Sequence, residues 1–285
     1  MNRMMLDDEP LEEKISEKEY QKRIAQLSKS VQELLHSGRR YRIPIGKGNE
    51  IKFALIGDTH YGSKYERPDA LAEFLKLAKS EGCEVVLHAG DIVAGHHVYP
   101  GQEFELYAHG MAEQIDLVVK KFPKILPIKF ITGNHDDSFK KIAGATIGNA
   151  IAKERADMEF LGEYSAMVEL KTPTGRTFRV QLVHPDGGTC YALSYKTQKY
   201  IESISGGQKP NMLGIGHFHK AELLPAYRNV AGVQVGAFEA QTPFLLRKGS
   251  PSHVGGWIVR VMVGTEAGLS NRIQAEFIAF YEKKD

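Results

Sequence analysis

Phe53-Ala54-Leu55-Ile56-Gly57-Asp58-Thr59-His60 is the stretch on which the fold turns. Its four apolar residues have the length of a buried strand; a glycine follows, then two metal-binding side chains separated by one residue. The same order recurs down the chain. Val85-Val86-Leu87 leads through His88-Ala89 to Gly90-Asp91, and Ile128-Lys129-Phe130-Ile131 leads to Gly133-Asn134-His135-Asp136. Val180-Gln181-Leu182-Val183 ends at His184, and Met212-Leu213-Gly214-Ile215 ends at Gly216-His217-Phe218-His219. Five successive apolar runs therefore end in Asp, Asn or His.

Helix-like segments lie between the first three runs, at residues 69–80 and about 103–121, the pattern of a sheet built from crossover units. Residues 230–238, 256–263 and 272–281 alternate apolar and polar with glycine-rich breaks and read as strands. An α/β sandwich of two sheets flanked by helices accommodates both halves. Ligands of open α/β sheets bind outside the carboxyl ends of the strands, so the five motifs are expected to converge on one place. Asp58 and His60 stand two residues apart, as do His217 and His219, and on an extended segment such a pair points the same way. A lone histidine after a strand is usually a core or surface histidine; the ordered set points to a dinuclear metal site.

The rest of the chain bounds the setting. With 285 residues, 42% hydrophobic, the chain can bury a full core, and a net charge of +2 gives no sign of an extended polyanion-gripping surface. Cys83 and Cys190 lie far apart with no CxxC spacing, which disfavours a disulfide framework or cysteine zinc site and fits a reducing cytoplasm. The start has no apolar signal-like core, and no stretch reaches the roughly 18 apolar residues of a membrane span, so a cytoplasmic location without membrane association is expected. Residues 11–36 carry Ile24, Leu27, Val31 and Leu34 at helical spacing, and Ser37-Gly38 is a plausible stop. That stripe either packs on the body or serves a homodimer or partner contact. The expected division is 1–49, amphipathic helix and linker, and 50–285, the catalytic domain.

From Gly57 to His219 the sequence resembles the calcineurin-like metallophosphoesterase superfamily, whose five-part signature these motifs match. The resemblance implies a four-layer, two-sheet sandwich. It implies one metal on Asp58, His60 and His219, a second on Asn134, His184 and His217, and Asp91 bridging them. It makes His135 a non-ligand histidine beside the phosphate. The donor chemistry agrees: imidazoles with carboxylates suit Mn, Fe, Zn or Co, and Mn²⁺ is favoured, whereas a hard all-oxygen cage for Mg or Ca would not use four histidines. Two such ions, about 3.5–4 Å apart, bring the pKa of bound water towards about 7. In-line attack of metal-bound hydroxide on phosphorus is the expected chemistry, with His135 stabilising the transition state or protonating the leaving group. Asp136 has two readings, orienting His135 or capping a following helix.

The substrate is narrowed by what is missing. Protein phosphatases of the superfamily continue the second motif with an Asp and an Arg that clasp phosphate; here Ala94 and Gly95 stand in their place. The phosphodiesterase and DNA-repair exonuclease branches lack that Arg too, and the exonucleases carry a further histidine shortly after this motif. His96 or His97 either touches substrate in that way or is a loop histidine. The fourth motif departs from the usual His-Gly, since Pro185-Asp186 intervene before Gly187-Gly188. Tyr191, Tyr195, Lys196, Lys199, Tyr200 and Lys209 interleave aromatics and bases as single-strand binders do, or form an ordinary amphipathic helix. The stretch Tyr99-Pro100-Gly101-Gln102 is a candidate cleft rim. The sequence reading is a dinuclear phosphodiesterase for nucleic acid or nucleotide, a nuclease where the substrate is nucleic acid. The alternatives are a broad phosphomonoesterase and a non-catalytic scaffold subunit of a DNA-processing complex.

Overall fold

The computed structural model describes residues 40–144, 146–264 and 271–281. The chain divides into two units, Met1–Gly38 and Arg39–Asp285, and all the described residues belong to the second. The amphipathic helix expected at 11–36 lies outside the described residues.

The second unit runs β1 (Arg40–Pro44), β2 (Glu50–Ile56), α1 (Pro68–Ser80), β3 (Val86–His88), α2 (Met111–Lys121), β4 (Ile128–Thr132), α3 (Ser138–Ala143) and α4 (Ile147–Glu154). It continues through β5 (Met158–Glu163), β6 (Ser165–Lys171), β7 (Thr177–Val183), α5 (Ser194–Ser203), β8 (Met212–Ile215), β9 (Ala221–Tyr227) and β10 (Val230–Val235). It closes with α6 (Pro243–Arg247), β11 (Gly255–Met262) and β12 (Arg272–Ala279). Two mixed sheets of six strands result, ordered β1-β6-β7-β8-β10-β9 and β12-β11-β2-β3-β4-β5.

The apolar runs are continuous because both faces of their strands are covered. Phe53 and Leu55 point between the sheets to join Val168, Val180, Leu182 and Val259. Ala54 and Ile56 point the other way, to Leu71 and Phe74 of α1 and Val118 of α2. The far face of the other sheet is covered by α5, whose Ile201 packs with Val183, Leu213 and Val230. The layers are therefore helix, sheet, sheet, helix. In α1, Pro68 at the first turn, Asp69 beside it and Lys79 in the last turn suit the helix dipole, while Leu71, Phe74, Leu75 and Ala78 form the buried stripe.

Several elements were not legible in advance. The segment expected as one helix over about 103–121 splits into a 3-10 turn, Gln102–Glu105, and α2. Glu113 accepts the backbone N–H groups of His109 and Gly110, which starts the helix anew at Gly110. The stretch read as linker contributes β1, paired in parallel with β6. Its Arg40 and Arg42 reach the buried Glu169 at 3.3 and 3.4 Å, and Pro44 is tolerated because β1 is an edge. Among the described residues no helix is long and apolar enough to cross a membrane.

β2, β3 and β4 are parallel neighbours, as are β7 and β8 in the facing sheet. Their five carboxyl ends carry the five motifs.

Candidate metal centre

The five loops meet. Asp58, His60 and His219 form one group whose donor atoms lie within 4.8 Å of one another, and Asp91, His184 and His217 form another. A third group, His60, Asp91 and His135, overlaps both, so Asp91 stands at the junction. Asn134 belongs with the second group: its Oδ1 lies 3.1 Å from His184 Nε2 and 2.8 Å from His217 Nδ1. Asp91 Oδ2 is 3.0 Å from His184 Nε2 and 3.9 Å from His60 Nε2.

The side chains do not reach the centre by the extended geometry anticipated for Asp58/His60 and His217/His219. Asp58, His60, Asp91, His217 and His219 have φ of 52°, 45°, 55°, 80° and 52°. The backbone curls through the left-handed region at alternate residues, which aims both members of each pair inward. Such conformations cost on the order of 1–3 kcal/mol each and persist where the surroundings impose them. Gly133 shows how tight the surroundings are. A Cβ there would lie 2.3 Å from Asp91 Oδ1 and 2.5 Å from His184 Nε2, so only glycine lets the β4 loop pass.

The electrostatics suit a cation. Burial, with neighbouring imidazoles, pushes His219 down to about 3 and His217 to about 4, and holds His60 well below its usual range. These rings are neutral and keep a lone pair to give. His60 Nε2 and His219 Nε2 face each other at 3.0 Å, with Asp58 Oδ1 3.5 Å from the latter. Burial opposes charge on Asp91, yet His184 and His135 hold it well below the usual carboxylate range. Burial likewise opposes charge on His184, but Asp91 outweighs it and lifts the ring to about 9. The proton held there answers the negative charge of Asp91, and a bound cation would take its place and leave His184 neutral. Neutral imidazoles, two carboxylates and an amide oxygen converging in this way fit divalent ions of borderline softness. Asp58, His60 and His219 would hold one and Asn134, His184 and His217 another, with Asp91 between.

A layer of polar contacts fixes these donors. His184 Nδ1 donates to the Ala89 carbonyl at 2.8 Å, which leaves Nε2 for the centre. Asp58 accepts the His217 N–H at 2.8 Å, and Asp91 accepts the His135 N–H at 2.9 Å. His88, fully buried and lowered to about 3 by burial and His184, is neutral. Its Nδ1 accepts the Gly90 N–H and its Nε2 contacts Thr59 Oγ1, which donates to the Ile92 carbonyl. His88 thereby ties the β2 loop to the β3 loop.

Asp136 takes a place that neither sequence reading gave it, and His135 is held by the loop after Asp91. His135 Nδ1 donates to the Ala94 carbonyl at 2.6 Å, and Gln102 Nε2 donates to the same oxygen at 2.7 Å. These groups orient the ring. The Asp136 carboxylate accepts from backbone: Ile92 and Val93 N–H at 3.1 and 3.0 Å, and Gly133 N–H at 2.9 Å. It braces the β3 loop against the β4 loop, while burial and the Asp91 charge push its carboxyl up to about 7. Of the stretch read as a candidate cleft rim, the Tyr99 ring lies 6.2 Å from the His135 imidazole and stacks on Phe244 at 4.2 Å. His96 and His97 pack on each other at 3.9 Å, and His96 faces His109 at 6.0 Å. Neither His96 nor His97 belongs to the donor groups found among the described residues.

Sequence reasoning missed Glu239. This buried carboxylate follows β10 and places Oε2 3.9 Å from both His60 Nε2 and His219 Nδ1. Burial, reinforced by Glu105, Asp91 and Glu66, lifts it to about 8. No local signal marked it, because it enters the centre only through the β10 turn.

The centre has the composition of a known family. A DNA polymerase II small subunit of Methanothermobacter thermautotrophicus is 27% identical over 263 residues, 74% of this chain and 52% of that protein. A protein of the same name from Halobacterium salinarum is 36% identical over 99 residues, 33% of this chain and 20% of its own. The chain thus spans about half or less of the length of these curated relatives. Among solved structures, a Vps29 variant from Entamoeba histolytica aligns with 81% of this chain and 100% of its own at 13% identity and a TM-score of 0.41. The family model for calcineurin-like phosphoesterases matches residues 51–220, from β2 to the motif that ends at His219, and the chain belongs to that family.

Proposed function

We propose that this chain is a dinuclear metal-dependent phosphodiesterase acting on nucleic acid or a nucleotide, working as a subunit of a DNA-processing complex. The observation that carries the catalytic part is the complete set of converging donors, five of them held at positive φ. A purely scaffolding chain gains nothing from that strain. The names of the relatives support the second part, since a small subunit works beside a larger one. A non-catalytic scaffold remains the second reading, favoured by those same names.

The loop after Asp91 favours a diester. In the position where a protein phosphatase has its phosphate-clasping Arg stands Gly95, and a Cβ there would lie 2.3 Å from the His135 carbonyl oxygen. No side chain fits, so the dianion of a monoester meets no guanidinium from this loop. When bound, the divalent ions supply Lewis-acid polarisation of the phosphoryl group and a water of lowered pKa. The chain supplies the rest. His135, with Nδ1 committed to Ala94, directs Nε2 at the reacting group and carries there the proton for the leaving oxygen. Asp91, pinned by the His135 N–H, fixes the spacing of the two donor groups.

His135→Ala is expected to lower turnover by about a hundredfold or more, the usual contribution of a positioned acid, while metal content stays that of the unaltered chain. Elemental analysis after dialysis checks it; lost metal would make His135 a ligand.

The function itself is tested by stripping the chain of metal, reloading with Mn²⁺, and comparing an aryl phosphodiester with its monoester. Faster diester hydrolysis is the expected result. A monoester preference would overturn the substrate class, and inactivity on both would leave the scaffold reading.

A further inference from the structure

Beside the metal centre lies a pocket of about 300 Å³, the lower end of the size range for small-molecule sites. One wall is a single face of α5, where Lys196, Lys199 and Tyr200 stand at helical spacing. The opposite wall comes from the two motifs that carry metal donors: Pro185 and Asp186 directly follow His184, and Phe218 directly follows His217. Pocket and centre share a loop. The His217 ring meets the Gly187 carbonyl at 2.6 Å, and a Cβ on Gly187 would lie 3.5 Å from Lys196 Nζ.

The lining has a definite chemistry. Lys196 is half-buried and has no carboxylate partner among the described residues. Lys199 pairs with Glu202 at 3.1 Å and lies over the Tyr195 ring at 6.0 Å. Asp186 is exposed at the rim, where water screens it, and with Glu202 committed to Lys199 it is Lys196 that is left as the cation open to a ligand. Tyr200 and the buried Phe218 supply the aromatic surface. Tyr191 and Tyr195, just before them in the chain, are exposed, Tyr191 completely so. Cations with open aromatic faces are the means by which proteins hold unstacked bases and their phosphates.

We propose that this pocket is the subsite for the nucleotide adjoining the scissile bond in a single strand of nucleic acid, with Lys196 and Lys199 on its phosphate and the aromatic wall against its base. The inference rests on the phosphodiesterase reading and gives it a substrate class. A base within a duplex is stacked on both sides and offers no free face to Tyr200, which is why a single strand is specified. The altered fourth motif acquires a purpose here, since the extra Pro185-Asp186 widens the loop between the metal centre and α5.

The test is the salt dependence of binding. Full-length chain in excess chelator, free of metal, is titrated against a fluorescein-labelled oligothymidylate at several salt concentrations, with anisotropy as the readout. Each phosphate contact to a single strand contributes about 0.7 to the slope of log affinity against log salt. Because both lysines sit on one phosphate, the double variant Lys196→Gln/Lys199→Gln is expected to reduce that slope by about 0.7 and to weaken binding at low salt, with an unchanged melting temperature. Lys153→Gln, the same substitution at a single exposed residue of α4, controls for general attraction and should leave the slope alone. No binding by the unaltered chain, an unchanged slope in the double variant, or an equal loss in the Lys153 control would each overturn the subsite. Hydrolysis of the aryl diester without oligonucleotide binding would leave the phosphodiesterase reading standing and remove this one. Lysine-dependent binding without hydrolysis of any diester would overturn the phosphodiesterase reading, and with it the scissile bond, leaving the pocket as a single-strand binding site alone.

Discussion

Asp91→Asn is expected to abolish phosphodiester turnover and to strip the centre of metal while the chain remains folded. The substitution is nearly isosteric, so an amide oxygen can still accept the His135 N–H that Asp91 Oδ1 accepts at 2.9 Å. What disappears is charge at the junction of the two donor groups. Asp91 Oδ2 lies 3.0 Å from His184 Nε2 and 3.9 Å from His60 Nε2, one ring from each group. An Asn would turn a neutral oxygen or an N–H donor towards ions that need an anion. Removing a partner behind a metal ligand already costs about 10–100-fold in affinity, so loss of the shared carboxylate should cost at least about a hundredfold. Turnover should fall by at least about the 10²–10³ lost when one electrostatic stabiliser is removed from an active site. Metal content after dialysis and the diester rate are the measurements. Two ions retained with full activity would show that Asp91 does not bridge.

The second large effect is on stability. Asp136→Ala is expected to destabilise the metal-free chain by about 3 kcal/mol or more, because it leaves the buried N–H groups of Ile92, Val93 and Gly133 without acceptors and each such orphan costs about 1–3 kcal/mol. The loops bearing Asp91 and Asn134 would then lose the carboxylate that spans them, and metal affinity should fall as a consequence. Asp136→Asn keeps one acceptor oxygen and should lose less. Urea unfolding in chelator separates this role from the other reading of Asp136. If the residue served only to orient His135, Asp136→Ala would unfold at the same urea concentration as the unaltered chain and show a reduced rate with metal bound.

The two effects mark different depths of legibility. Asp91 stood out from its neighbours alone, as a carboxylate behind a glycine after a buried run. Asp136 was equally visible as a residue, but two of its partners lie 43 and 44 positions away in another loop, and no local pattern names them. The same holds for His135, whose orientation depends on Ala94, 41 positions earlier. Glu239 approaches His219 across the β10 turn and left no trace in the spacing of the motifs.

The sequence by itself determined which strands are buried and where their ends carry donors. A run such as Phe53-Ala54-Leu55-Ile56 is apolar at every position only if both faces are covered, and a Gly-Asp or Gly-His pair after it must lie where the chain leaves the sheet. Those are local consequences of burial and backbone geometry. The tertiary structure alone decided the edge strand β1, because its alternating Arg40-Tyr41-Arg42 is ordered by the distant Glu169. It also decided the left-handed backbone at five donors, which the extended reading could not anticipate. That backbone is unfavourable for any isolated segment, and it exists because packing on every side leaves the side chains no other way to meet.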